Sequence, residues 1–345
     1  MSRWVEAHFY PEQPPSPGAR LLRSPLALGA GVFGAGVLLR NWLYDTGFFR
    51  TMRVEGLRVV SVGNLGTGGA GKTPVVAFLA ERLRRAGIRV AVLSRGYGRR
   101  GSAVERVLGP PWPSFERVGD EPLLLARRVP GLDVWVGGDR VDLARRARAA
   151  GATVALLDDG FQHRRLGREV DLLVLDEAAG LGTGHLLPWG PLREPPSALA
   201  RASLLWLRVA EQPAPPPPLP GGVPVVRARH APSELVGPDG ATCPLSALAE
   251  RRVVGFCGIA RPSSFDQTLA ALGAEVVFVR AFSDHHAFRA SELAELRATS
   301  TGASAELVTT EKDAVRLPEG FPAWVVRLGV SVLSGEPDLA RVLGV

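Results

Sequence analysis

The chain has 345 residues, 46% of them hydrophobic and 22% charged, which are the proportions of a folded protein with room for two α/β domains or one large one. A net charge of +7 admits an anionic lipid or an acidic substrate, but no dense basic tract with interleaved aromatic residues is present, which argues against nucleic acid. The two cysteines, Cys243 and Cys257, match no metal-binding spacing, and so few thiols suit a reducing cytosol.

Residues 1–56 read as an N-terminal arm followed by a membrane-associating helical segment. The first 20 residues are Pro-rich and lack periodicity. From Leu26 to Leu39 runs an unbroken stretch of 14 apolar or glycine residues, LALGAGVFGAGVLL. As a helix it is about 21 Å long, short of the roughly 30 Å hydrocarbon core of a bilayer. Arg20, Arg23, Arg40, Arg50 and Arg53 flank it, with Trp42, Tyr44, Phe48 and Phe49 alongside. The preferred reading is therefore an interfacial helix lying on an anionic membrane surface. A signal-peptide core has the right length, but the downstream motifs need ATP, which secreted proteins do not meet. A buried core helix is the remaining alternative.

From Leu57 strand and helix patterns alternate. Strand-like runs occur at Leu57–Gly63, Ile88–Ser94, Asp133–Val136, Thr153–Asp158, Val170–Asp176 and Leu204–Val209, with helical patterns such as Thr73–Ala86 and Asp139–Ala150 between them. The alternation predicts a mainly parallel sheet with helices on both faces over residues 57–210. Residues 211–222, EQPAPPPPLPGG, cannot be helix or sheet interior and read as a linker. The βα pattern then resumes with Val253–Cys257, a helix opening at Pro262, Glu275–Val279 and Glu306–Thr309. The fold expected is α/β of the P-loop NTPase type, with a second, smaller α/β lobe over residues 223–345 and the site between the two.

Strand Leu57–Gly63 runs into Gly66-Thr67-Gly68-Gly69-Ala70-Gly71-Lys72-Thr73 and then a helix. This is G-x-x-x-x-G-K-[ST] in the strand-then-helix setting it requires. Its glycines let successive backbone N–H groups curl around phosphate oxygens, and the helix N-terminus adds partial positive charge. Lys72 can reach the β- and γ-phosphates of ATP, and the Thr73 hydroxyl can ligate Mg²⁺. A partner acid should end a nearby apolar strand, and Asp158 and Asp159 after Val154-Ala155-Leu156-Leu157 supply it, for a direct or indirect Mg²⁺ role. Of 41 basic residues 39 are Arg, and Lys72 and Lys312 are the only lysines. Where a chain drifts toward Arg, a surviving lysine marks a place that needs a compact, rotatable ammonium.

Seven motifs occur in order: VGNLGTGGAGKTP (62–74), LSRGYGR (93–99), VGDEPLLLA (118–126), LLDDGFQH (156–163), LLPWGPLREP (186–195), FSDHHAF (282–288) and TTEKDAVRL (309–317). Together they resemble the tetraacyldisaccharide 4′-kinases of lipid A biosynthesis, from about Leu21 to about Leu317. One departure is Gly66, where Thr is expected, a change that a backbone cradle tolerates. The resemblance implies transfer of the ATP γ-phosphate to the 4′-hydroxyl of an acylated glucosamine disaccharide 1-phosphate. The place of action it implies is the cytoplasmic face of the inner membrane, held peripherally or monotopically, with no obligate protein partner.

The same resemblance makes Asp120 the base that takes the hydroxyl proton and His285, ahead of His286, the residue that orients it. Unaided, GDEP reads as a helix start and DHH as a surface loop. By the same resemblance Arg193, Glu194, Gln162 and His163 face the disaccharide or its 1-phosphate, and Arg95 and Tyr97 follow a strand end where α/β folds bind ligands. Lys312 either lies near the nucleotide or belongs to a capped helix start, Thr310-x-x-Asp313. The alternative function is a regulatory or metallochaperone-type NTPase switch. Such switches often carry Asn/Thr-Lys-x-Asp, whose spacer Glu311-Lys312-Asp313 lacks. A membrane-tethered scaffold with a decayed site is opposed by the intact Lys72-Thr73 and acid pair.

Overall fold

A computed structural model describes residues 8–10, 24–209, 219, 221–259 and 262–344. Most of the N-terminal arm, with Arg20 and Arg23, and most of the linker at 211–222 lie outside the described residues. Helix α1 (Ser24–Asp45) comes first. It is followed by β1 (Arg58–Gly63), α2 (Lys72–Arg85), β2 (Val90–Ser94), β3 (Glu105–Val107), α3 (Phe115–Val118) and α4 (Asp120–Arg128). Next are β4 (Asp133–Val136), α5 (Arg140–Ala149), β5 (Val154–Asp158), β6 (Val170–Asp176) and β7 (Leu204–Arg208). Beyond the linker lie β8 (Val225–Val236), β9 (Thr242–Cys243), β10 (Arg252–Cys257), α6 (Pro262–Ala271) and β11 (Glu275–Ala281). The chain continues through α7 (Ala290–Gly302), β12 (Glu306–Thr310), α8 (Glu311–Ala314), β13 (Trp324–Ser334) and α9 (Glu336–Leu343).

The strands form one sheet in the order β11-β10-β12-β13-β8-β7-β6-β1-β5-β2-β4-β3, with β9 on β8. Pairing is parallel except at β3–β4, β8–β9 and β8–β13. The central strands are near-continuous apolar runs because helices cover both of their faces. Val60, Val62, Leu156 and Leu172 point to the layer of α2 and α4, and Val59, Leu157 and Ala155 to the layer of α5.

The sheet does not break at the linker. Strand β8 opens in register with β7, Leu205 opposite Val225, and then pairs antiparallel with β13 over its length. Val226, Ala228, Leu339 and Leu343, all from beyond residue 222, belong to the same core as α2. Two further cores, around Phe265 and Leu269 and around Phe256 and Leu296, serve the second half. The two halves thus share β8 and β13 and differ in what packs on them.

Helix α1 has 22 residues, about 33 Å, half again as long as the apolar run alone predicts. It is the one helix among the described residues long and apolar enough to cross a membrane. It is not a core helix: Leu28, Val32, Leu38, Leu39 and Trp42 are all more than half exposed. One narrow stripe, Ala30-Gly34-Val37-Asn41, faces the protein. A Cβ at Gly34 would meet Leu186 Cδ1 at 2.8 Å, so glycine there permits close docking on the 186–195 segment. Arg40 turns to the protein, 3.7 Å from the buried Glu194, whereas Arg53 stays mostly exposed beside Glu169 at 3.6 Å.

Candidate active site

The phosphate loop leaves β1 and enters α2 through Gly71, whose φ of 82° is the left-handed conformation that glycine adopts without strain. Lys72 and Thr73 open the helix, where backbone N–H groups have no helical partner. The loop is fastened to the 186–195 segment. Thr67 N donates to Pro191 O (2.8 Å), Arg193 N to Leu65 O (2.8 Å), and Gly66 bridges Leu192. The other wall comes from both sides of the linker, since Arg208 of β7 and His230 of β8 lie against Gly71. Lys72 Nζ lies 3.1 Å from Asn64 Oδ1 and 3.3 Å from Asp159 Oδ1.

Strand β5 delivers Asp158 level with Val62 of β1, where both strands end. Asp158 is buried and accepts a hydrogen bond from Ser94 Oγ at 3.1 Å. Burial, together with Glu121 and Asp159, pushes its carboxyl up to about 7, against the pull of Lys72 and Ser94. Asp159 is the reverse case. Burial would raise it, but Lys72 and Arg193, the latter at 2.8 Å, outweigh that and hold it below the usual carboxylate range. A divalent cation would offset both the burial of Asp158 and the nearby carboxylates, so the residues fit Mg²⁺. Among the described residues no group of three acidic, His or Cys ligands exists. An ion held by Thr73 and Asp158 or Asp159 would take its remaining ligands from phosphate and water, as Mg²⁺ commonly does.

Asp120 begins α4 behind Gly119, where a Cβ would meet Gly96 Cα at 2.9 Å; the 93–99 loop and the 118–126 motif are thereby pressed together. His285 arrives on the loop after β11, with Nδ1 2.8 Å from Asp120 Oδ2. Arg316, its side chain fully buried, donates from Nε to the same oxygen at 2.8 Å. Burial would raise the Asp120 carboxyl, but the His285 hydrogen bond and the Arg316 charge more than offset it and hold it below the usual carboxylate range. Glu121, the next residue, acts electrostatically on Asp158, so the dyad and the acid pair share one neighbourhood. His286 instead binds Glu292 at 2.8 Å, which separates the roles of the two histidines.

The remaining expected residues divide. Tyr97 is exposed with its ring centroid 6.3 Å from that of His285, and Arg95 is exposed beside it. Arg193 Nη1 is 3.4 Å from Gln162 Oε1, and Gln162 Nε2 donates to Asn64 O at 3.0 Å, which ties both to the phosphate loop. His163 is driven down to about 4 by burial and the charges of Arg140 and Arg168, so it is neutral, and its Nε2 is buried without a hydrogen-bond partner. Glu194 departs from expectation. It is 0% exposed and fully engaged, by Arg201 at 2.8 and 3.1 Å and by Asn41 Nδ2 at 2.8 Å, so it clamps α1 to the body and does not face an acceptor. Of the two alternatives for Lys312, the capped helix start is present. Thr310 caps α8, accepting from Asp313 N at 3.2 Å, and Lys312 Nζ lies 2.8 Å from Asp284 and 3.2 Å from His285 Nε2.

Three residues that contact the candidate site escape sequence reasoning: Asn64, Ser94 and Arg316. Asn64 follows the last residue of β1 and Ser94 ends β2, and those positions are their only signal. Arg316 stands three residues after Asp313, which it binds at 3.1 Å while Asp313 Oδ1 also accepts from Gly258 N at 3.0 Å.

A phosphate loop with an acid at the neighbouring strand end, facing a carboxylate braced by histidine and arginine, defines an ATP-dependent P-loop kinase. The family model described as tetraacyldisaccharide-1-P 4′-kinase matches residues 21–344. The chain belongs to this family. It is 47% identical over 363 residues to a tetraacyldisaccharide 4′-kinase of Anaeromyxobacter dehalogenans (strain 2CP-C), covering 98% of this chain and 94% of that one. A tetraacyldisaccharide 4′-kinase of Syntrophus aciditrophicus (strain SB) is 43% identical, with 87% of each chain covered. The fold matches the crystal structure of LpxK from Aquifex aeolicus in complex with ATP, with a TM-score of 0.79 and 32% identity over 94% of this chain and 98% of that one.

Proposed function

We propose that the chain transfers the γ-phosphate of ATP to the 4′-hydroxyl of a tetraacyl glucosamine disaccharide 1-phosphate, with Asp120 as the base. The single observation that carries this is Asp120 itself. Both braces, His285 and Arg316, occupy Oδ2, which leaves Oδ1 for an acceptor hydroxyl. The hydroxyl proton goes to Oδ1, the freed oxygen forms the new P–O bond, and the bond to the ADP oxygen breaks. Phosphoryl transfer asks mainly for position and charge compensation, and the backbone amides of residues 66–73 with Lys72 supply both at the phosphates. Thr73 and Asp158 or Asp159 would hold Mg²⁺, whose charge would offset that of the phosphates. Arg193, with donors beyond its contact to Asp159, suits the acceptor or its 1-phosphate, and Arg95, Tyr97, Gln162 and His163 line the approach.

Exposed apolar residues along α1 support attachment to the membrane that holds the acyl chains, and the need for ATP supports its cytoplasmic face. The test is incubation with Mg-ATP and an acylated disaccharide 1-phosphate in mixed micelles, followed by mass analysis of the lipid. A bis-phosphorylated lipid is expected. ATP hydrolysis at the same rate without acceptor, and no lipid product, would favour the NTPase switch.

A further inference from the structure

We infer that Lys312 is a positioning residue that holds His285 in the one neutral tautomer able to serve Asp120. The inference rests on the reading of Asp120 and His285 as a catalytic pair. Neutral imidazole carries one N–H, on either Nδ1 or Nε2. Asp120, ionised, only accepts, so the 2.8 Å contact at Nδ1 is a hydrogen bond only when Nδ1 bears the proton. Lys312 Nζ, 3.2 Å from Nε2, can only donate, and it therefore requires a lone pair on Nε2. The two contacts select the same form: Nδ1–H toward the carboxylate and a bare Nε2 toward the ammonium. With Lys312 removed, nothing holds Nε2 bare, and the Asp120 contact alone is left to disfavour the Nε2–H tautomer, which sets the Nδ1 lone pair against a carboxylate oxygen.

The ammonium is itself fixed. Asp284, adjacent to His285, binds it at 2.8 Å, and the capped turn of α8 sets its backbone. The same turn carries Asp313, which anchors Arg316 at 3.1 Å, so one short helix braces both partners of the pair. His285 Nε2 lies 3.9 Å from Asp284 Oδ1, too far for a hydrogen bond to compete with Lys312. This gives the second lysine a reason of its own: three rotatable donors on a compact head can meet Asp284 and Nε2 together.

The experiment is ¹⁵N NMR of histidine-labelled full-length protein, with His285 assigned by His285→Ala, alongside steady-state kinetics. Wild type should show a pyrrole-like Nδ1 and a pyridine-like Nε2 at His285. Lys312→Met should shift His285 toward the other tautomer or exchange averaging and lower kcat by about 10–100-fold, less than loss of the base itself. KM for ATP and for acceptor should change less than about threefold, because the contact acts on the chemical step. Lys312→Gln, whose amide can still donate, should fall between. In a His285→Ala background Lys312→Met should cost nothing further. An Nε2–H tautomer in wild type overturns the inference without any variant. So does a Lys312→Met effect that is confined to the KM for ATP or that multiplies with His285→Ala, since Lys312 would then serve the nucleotide. If His285→Ala itself retains full turnover, the catalytic pair fails, and that result is distinct from either.

Discussion

Replacing Asp120 by Asn tests the base while sparing its surroundings. The amide is isosteric, and its carbonyl oxygen can accept from both His285 Nδ1–H and Arg316 Nε–H, as Oδ2 does at 2.8 Å each. What the amide then offers the acceptor hydroxyl is an NH₂ group, which cannot take a proton. Loss of a positioned general base costs roughly 10²–10⁴ in rate. At 1.36 kcal/mol per decade that is about 2.7–5.4 kcal/mol of transition-state stabilisation. Stability should suffer far less, because buried Arg316 keeps Asp313 as an anionic partner at 3.1 Å. Asp120→Ala, by contrast, strands the buried Arg316 Nε donor as well as the His285 N–H and should lower both turnover and stability. The assay is initial-rate transfer of label from γ-labelled ATP to lipid in micelles at saturating acceptor, with ATP affinity measured by calorimetry. Expected is a fall in kcat of at least 10²-fold with ATP affinity unchanged within about threefold. Turnover within tenfold of wild type, or a loss carried entirely by ATP affinity, would refute the assignment.

Lys72→Ala and Lys72→Arg should each nearly abolish transfer while circular dichroism stays native, since a planar guanidinium does not fit among the phosphates; an Arg variant with most of its activity would undo this argument. Glu194→Ala should lower the urea-derived stability by roughly 3–5 kcal/mol, because it removes the buried carboxylate that binds Arg201 and Asn41, and KM for acceptor should move little. Burial would raise the Glu194 carboxyl, but Arg201, Asn41 and Arg40 hold it below its usual value. Its stabilisation is therefore present above the unfolded value of about 4.3 and is lost as pH falls through the depressed folded value, a slope that Glu194→Gln should remove. Deleting residues 1–40 should reduce binding to anionic vesicles and turnover of bilayer acceptor while ATP affinity persists. Vesicle binding equal to the full chain would put the membrane contact elsewhere.

The central strands and the phosphate loop were legible because their signals are local. Four apolar residues ahead of Asp158, or glycines ahead of Lys72, mean the same thing in any context. Strands β8 and β13 were not legible, since they carry Pro232, Gly329 and alternating half-buried residues, and their pairing joins segments about 90 positions apart in sequence, Glu234 with Arg327. Asp120 and His285 were found only through resemblance, because their meaning lies in a contact across 165 positions. Glu194 was misjudged for the same reason. A carboxylate in a proline-flanked turn looks solvated until Asn41, 153 positions earlier, reaches it.

With only two lysines in the whole sequence, the ε-amines have an unusual distribution. Lys72 keeps 15% of its side-chain surface, beside Asp159, and Lys312 keeps 30%, beside Asp284 and His285, so both stand in the candidate site. On most proteins an amine-directed acylating reagent decorates the surface indiscriminately. Here, apart from the α-amino group, such a reagent can couple only at the candidate site. Labelling of each amine, with and without bound nucleotide, would report occupancy of that site directly, and a covalent ligand built on the same chemistry would have no competing side-chain amine on the protein to consume it.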